Sequence, residues 1–149
     1  VVFINFKIMK NVLHILVSLV FLINYSCKAQ QVVQTTADVP KLKTNEQQFI
    51  NKPLKDLLKE IKPEIKTGYA SNDNPFFFRF KFITHDQQKK KKKEGSWEDQ
   101  VSLYVYVKDP IDWKWEKRPK EIGLSWTKED AEKYGNLIVI RIKVIYPQE

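Results

Sequence analysis

Four phenylalanines at every second position, Phe76, Phe78, Phe80 and Phe82, constrain this chain more than any other feature. Successive side chains of an extended strand point to opposite faces. The run therefore lays an aromatic stripe along one side of a strand over Phe76–Thr84, with Phe77, Arg79, Lys81 and Ile83 on the other. Such a stripe has to be covered, and a matching pattern stands downstream. Val101, Leu103, Val105 and Val107 alternate with Ser102, Tyr104, Tyr106 and Lys108. That predicts a strand over Val101–Lys108, pairing antiparallel with the first across the loop His85–Gln100. A further run, Leu137–Tyr146, sets Ile138, Ile140, Ile142 and Val144 against Arg141 and Lys143. Glu64–Ala70 predicts a weaker first strand, and Ser71-Asn72-Asp73-Asn74-Pro75 is a turn by composition.

A sheet apolar on one side needs a second layer. Leu54, Leu57, Leu58 and Ile61 supply it at i, i+3, i+4 and i+7, while Lys55, Asp56, Lys59 and Glu60 face outward. Thr44 and Gln47 have capping-box spacing just upstream. Asn51 stands as a second cap with Pro53 in the first turn, and Pro63 stops the helix. Thr127-Lys128-Glu129-Asp130 predicts a short helix that ends near Tyr134, with Gly135 suited to its C-terminus. The predicted fold class is α+β: an amphipathic helix packed on one face of a small, mostly antiparallel four-stranded sheet, with a short helix before the last strand. Periplasmic inhibitor and immunity proteins often share that arrangement, which is an analogy of architecture alone.

Ahead of this domain lies Met9–Gln30, MKNVLHILVSLVFLINYSCKAQ. A positive start, a short apolar centre and small residues at the close make the three-part layout of a secretory signal peptide. Twelve residues of helix over Val12–Ile23 rise only about 18 Å against a hydrocarbon layer of roughly 30 Å, so a stable membrane span is the weaker reading. With Ser26–Cys27 at the boundary and Leu22 and Ile23 upstream, the segment resembles that of small exported bacterial lipoproteins. The resemblance implies that Cys27 becomes the lipidated first residue. The domain then sits on the periplasmic face of a bacterial envelope membrane, held there by the lipid. Cleavage after Ala29, with Cys27 at the −3 position, is the alternative and releases a soluble periplasmic or secreted protein. Cys27 is the only cysteine, so the domain holds by packing without a disulfide, and a lone thiol in an oxidising compartment is a liability. Val1–Ile8 read as sequence upstream of the start, or as an extended n-region after a GTG-type start. The expected organisation is a signal peptide over 1–27, a flexible polar tether over 28–43 and a single α+β domain over 44–149.

Chemistry is thinly represented. Beyond the export segment, His85 is the one histidine, and no spacing suggests a nucleophile–base pair. No cluster of Cys and His offers a zinc site, and four glycines form no phosphate-cradling loop. The chain is therefore expected to be a non-enzymatic binding or interaction module of the cell envelope, with no cofactor, metal or small-molecule ligand. Lys89, Lys90, Lys91, Lys92 and Lys93 supply five charges of an overall +8. As a cationic finger they would reach anionic headgroups, lipid-linked phosphates or an acidic envelope protein; as a solvated tip they would merely discourage edge pairing. Nucleic acid is not an expected partner, because lysine without arginine gives little base recognition. The tryptophans are the second candidate surface. Trp97 flanks the lysine run, and Trp113, Trp115 and Trp126 occupy the long connection Asp109–Asn136. If extended, that connection puts Ile111, Trp113 and Trp115 on one side, a recognition surface when exposed and an edge strand or lid when packed. A small hydrolase acting on envelope polymers is the rival expectation, with Trp113 and Trp115 as a sugar platform and Asp109, Asp112 or Glu116 as acids.

Overall fold

The computed structural model describes residue 14, residues 30–90 and residues 100–146. It divides into a unit Val1–Gln30, in which only His14 and Gln30 are described, and a unit Gln31–Glu149 that carries the sheet. The phenylalanine run forms a central strand of that sheet. The strands are β1 (Thr67–Ser71), β2 (Phe77–Lys81), β3 (Ser102–Val107) and β4 (Val139–Ile145), in the order β1-β2-β3-β4 with every pairing antiparallel. This is an α+β fold. Gly68↔Phe80, Ala70↔Phe78, Phe78↔Val105, Phe80↔Leu103 and Val105↔Ile142 are opposite pairs, so one face collects the apolar side chains. Phe78, Phe80, Leu103, Val105 and Ile142 are fully buried there.

The helices α1 (Pro40–Thr44), α2 (Leu54–Lys59) and α4 (Lys128–Tyr134) cover this face. In α2, Leu54 and Leu57 are buried and Leu58 is half-buried, as the spacing requires. Its N-cap is Pro53 rather than Asn51. Asn51 instead takes a left-handed conformation, φ 61°, which lets its N–H reach Val139 O at 2.8 Å. Residues of the Asn/Asp type tolerate that conformation best among those with a Cβ. Thr44 closes α1 and does not open a helix. Helix α4 matches its sequence signal: Thr127 Oγ1 accepts from Asp130 N at 3.1 Å, Asp130 Oδ2 accepts from Thr127 N at 3.0 Å, and Gly135 is the C-cap. A short helix α3 (His85–Lys90) begins what the sequence suggested was a loop.

Two expectations require correction. Gln31–Lys43 is not a tether. Val33 pairs with Ile61 in a parallel bridge, Thr36–Asp38 form a 3₁₀ turn, and Val33, Val39 and Leu42 are buried in the main core. The folded unit thus starts at Gln31, and only Lys28, Ala29 and Gln30 separate it from Cys27. The inward set of the last strand is also shifted. Tyr106 pairs with Arg141 but Val107 pairs with Val139, leaving Ile140 as the extra residue of a β-bulge. A bulge moves every side chain before it to the other face. Val139 accordingly points into the core with Ile142, while Ile140 is 45% exposed.

These placements separate substitutions that composition would treat alike. Leu42→Ala and Leu57→Ala should each cost about 2–5 kcal/mol, as large-to-small core changes do. Ile140→Thr and Lys59→Ala should each shift stability by less than about 0.5 kcal/mol. Urea unfolding of the four variants measures this, and a negligible cost for Leu42→Ala would restore the tether.

Candidate functional site

The long connection after β3 is ordered by one side chain. Arg118 donates from Nη1 to Asp130 Oδ1 at 2.7 Å and from Nη2 to Asp130 Oδ2 at 3.0 Å. Its Nε donates to Gly123 O at 2.9 Å and Nη2 also to Ser125 O at 2.9 Å. The guanidinium lies 4.2 Å from the ring centroid of Trp113. Side-chain exposure is only 13% for Arg118 and 9% for Asp130, so this is a buried pair with its fork satisfied. Burial pushes the Asp130 carboxyl up, but the Arg118 guanidinium and the Thr127 N–H and hydroxyl outweigh it and hold the group below 3.8.

The tryptophans separate around this pair. Trp113 is 3% exposed, tilted against Tyr134 at 5.9 Å, and its indole N–H has no hydrogen-bond partner. Trp126 lies edge-on to Phe80 at 4.8 Å and to Phe78 at 5.6 Å. Gly68 makes room for it: a Cβ there would stand 2.6 Å from Trp126 Cε3. Both rings therefore belong to packing. Trp115, at the start of a 3₁₀ turn (Trp115–Lys117), is 49% exposed. Trp113 and Trp115 consequently do not share one platform.

Trp115 and Glu116 line two clefts at once. One, of about 600 Å³, runs along the β1 edge and is bounded by Tyr69, Arg79, Asn72 and Asp73. The other, of about 740 Å³, opens towards α3, where His85 and Lys89 line it with Lys120 and Glu121. The fold thus brings Lys89 and Trp115 to one cleft, although they are far apart in sequence. Lys90 ends α3 and is exposed. Lys91, Lys92, Lys93, Trp97 and Cys27 lie outside the described residues. Asp109 and Asp112 are exposed, and Asp112 Oδ1 pairs with Lys114 at 3.3 Å. Among the described residues no group of three or more His, Cys, Asp and Glu could hold a metal ion, and no helix is long and apolar enough to cross a membrane.

A surface the alternation alone did not single out lies opposite the core. Register sets Tyr69, Arg79, Tyr104 and Lys143 in one row across the four strands, and Ser71, Phe77, Tyr106 and Arg141 in the next. No helix covers these two rows among the described residues, and their side chains are half-buried to exposed. The row below is closed at β1 and β3, while Ile145 at its β4 end is 43% exposed. Thr67 and Ser102 are buried there, and Gln88 of α3 donates to Thr67 Oγ1 at 3.1 Å. Arg79 lies 5.4 Å from the Tyr69 ring centroid and Arg141 lies 4.9 Å from that of Tyr106. The signal was present in the sequence as the aromatic and cationic residues between the apolar ones, but only the register aligns them.

Compared with protein-family models, curated proteins and solved structures, the chain has no match.

Loss of Arg118 leaves a buried carboxylate unpaired, so Arg118→Ala should cost about 3–5 kcal/mol. Arg118→Lys should restore only part, since an ammonium cannot fill the fork. Because the folded Asp130 pKa lies below its ordinary 3.8, the contribution of the pair is complete above that value and fades as pH falls through the folded one. The stability gap between wild type and Arg118→Ala, measured by urea unfolding, should be constant at neutral pH and shrink in acid. A gap independent of pH down to the acid transition would remove the carboxylate from this account.

Proposed function

We propose that this chain is an exported, lipid-anchored binding module of the bacterial cell envelope. The observation that carries the binding reading is the half-exposed Trp115 standing across a cleft from the Arg79–Tyr69 pair. An exposed indole beside a guanidinium and a phenol is the residue set that dominates recognition surfaces, because each offers area and hydrogen bonding at modest entropic cost. The export reading rests on the layout of Met9–Gln30. Gln31 Nε2 donates to Lys59 O at 2.7 Å, so the folded unit takes up the chain at the end of α2, in the helical layer.

Glu116 beside Trp115 supports the hydrolase reading, with Asp73 as a second acid on the wall of the same cleft. The two readings give different products. A binding module retains an envelope polymer unchanged, whereas a hydrolase releases new reducing ends that Glu116→Gln abolishes.

Two measurements test the proposal. Intact mass of the mature protein should show a lipidated Cys27 at the N-terminus, and Cys27→Ser should leave the chain unprocessed or soluble. A mature species beginning at unmodified Gln30 removes the anchor. For binding, Trp115→Ala should reduce retention of solubilised envelope components by the immobilised protein without lowering its melting temperature. Retention unchanged by Trp115→Ala moves the site away from the cleft.

A further inference from the structure

The open sheet face carries aromatic rings and cations and, at the positions its two open rows contribute, no carboxylate. The acids stand at its margins: at β4 Glu46 accepts from Ile142 N at 2.7 Å, pairs with Lys43 and feels Arg141, and beyond β1 Asp73 and Glu116 line the Trp115 cleft. The two arginines are also held in place. Arg79 rests on Tyr69 and Arg141 on Tyr106, while Phe77 wedges between Tyr104 at 5.6 Å and Tyr106 at 5.5 Å. A guanidinium fixed against a ring loses less rotamer freedom when it binds, and its outer N–H groups remain available.

The same contacts narrow the ligand. Single-stranded nucleic acid binds such sheets by stacking bases on exposed aromatic faces. On this surface guanidiniums already lie against Tyr69 and Tyr106, and Phe77 is tilted 50° and 49° to its two tyrosine neighbours, so no stacked platform is presented. A membrane surface fits less well: Ile140 and Ile145 are exposed on β4, but the two open rows themselves contribute no aliphatic side chain to insert. What remains is recognition of regularly spaced acidic groups by Arg, Lys and tyrosine hydroxyls. Arg141 and Lys143 lie two residues apart on one strand, about 7 Å, and Arg79 and Lys143 lie two strands apart, about 10 Å. That is a grid of cations in a plane, suited to an extended chain with one charge per sugar or per disaccharide.

We propose that the open face of the sheet binds a linear acidic polysaccharide, with Arg79, Arg141 and Lys143 pairing to its carboxylates. The proposal rests on the reading of the chain as a binding module and gives that module its ligand class. The face runs into the Trp115 cleft through Tyr69 and Arg79, which border both.

Titration of the purified full chain with polygalacturonate, a neutral glucan, oligothymidylate and vesicles of phosphatidylcholine with phosphatidylglycerol tests it. Wild type should bind polygalacturonate, more weakly with added salt, and ignore the neutral glucan. Joint Arg79→Gln, Arg141→Gln and Lys143→Gln should weaken this binding about tenfold, as three exposed ion pairs do. If that variant melts early, Lys143→Gln alone should still weaken binding about two- to fivefold. Replacing Lys89–Lys93 by glutamine should leave most of the affinity. Unchanged binding by the Lys143→Gln and triple variants overturns the proposal, as does tighter binding of oligothymidylate or vesicles, or complete loss with the lysine run. If acidic glycan fails to bind while Trp115→Ala still abolishes envelope retention, the ligand class is wrong and the binding module stands. If both fail, the module reading falls as well.

Discussion

The pairing of Arg118 with Asp130 turns a long irregular connection into part of the molecule's framework. One carboxylate caps α4 through Thr127 N and receives both ends of the guanidinium. The guanidinium in turn closes the backbone at Gly123 and Ser125 and roofs Trp113. From there the contacts spread outward. Tyr134 of α4 donates to Asp112 O at 2.8 Å, and Asn72 donates to Trp113 O at 2.6 Å. Trp126 is drawn onto Gly68 and β1 gains an outer neighbour, since Gly68 N donates to Leu124 O and Trp126 N to Lys66 O. Trp115 stands exposed between two clefts because the rest of its connection is held still.

Both edges of the sheet are managed by similar means. Along β1 the Leu124–Trp126 segment takes the outward hydrogen bonds of its first half. Along β4 the backbone of Asn51 and Lys52 pairs with Val139, and a carboxylate from Glu46 takes the N–H of Ile142. Burial works against the charged form of Glu46. Lys43, the Ile142 N–H and Arg141 more than offset that, holding its pKa below 4.5. An unpaired strand edge is a template for another chain, and a charge lodged against it is one of the ordinary ways of blunting it.

What the sequence disclosed follows from the length of each periodic signal. β2, β3 and α2 carry three or four apolar residues in strict period, and α4 carries a complete capping box, so their existence and inward faces were legible. The N-terminal segment hides its apolar residues at Val33, Val39 and Leu42, spaced six and then three apart among polar neighbours. No period joins them, because Val33 lies in a bridge, Val39 at the junction of a 3₁₀ turn with α1, and Leu42 within α1. The bulge at Ile140 was illegible for another reason: alternation continues through it in sequence and is broken only by pairing with Tyr106 and Val107. The candidate site shows the same limit. Trp115, Lys89 and Arg79 are conspicuous residue types, but nothing local says that the first borders two clefts, or that Arg79, Tyr104 and Lys143 fall in one row.

The burial of the N-terminal segment has a consequence for the order in which the molecule can be completed. The seat of α1 is β4, and Glu46 meets Ile142 across 96 residues of chain. At a synthesis rate of about 5–20 residues per second, roughly 5–20 s pass between the emergence of the two. Through that interval α1 and its Leu42 lack their seat on β4, while Val33 can already bridge to Ile61 and the β1–β2–β3 meander can assemble from neighbours. Helix α1, among the first parts of the domain to leave the ribosome, is thus among the last to find its seat, and for those seconds it offers a short apolar segment to whatever chaperone meets the nascent chain.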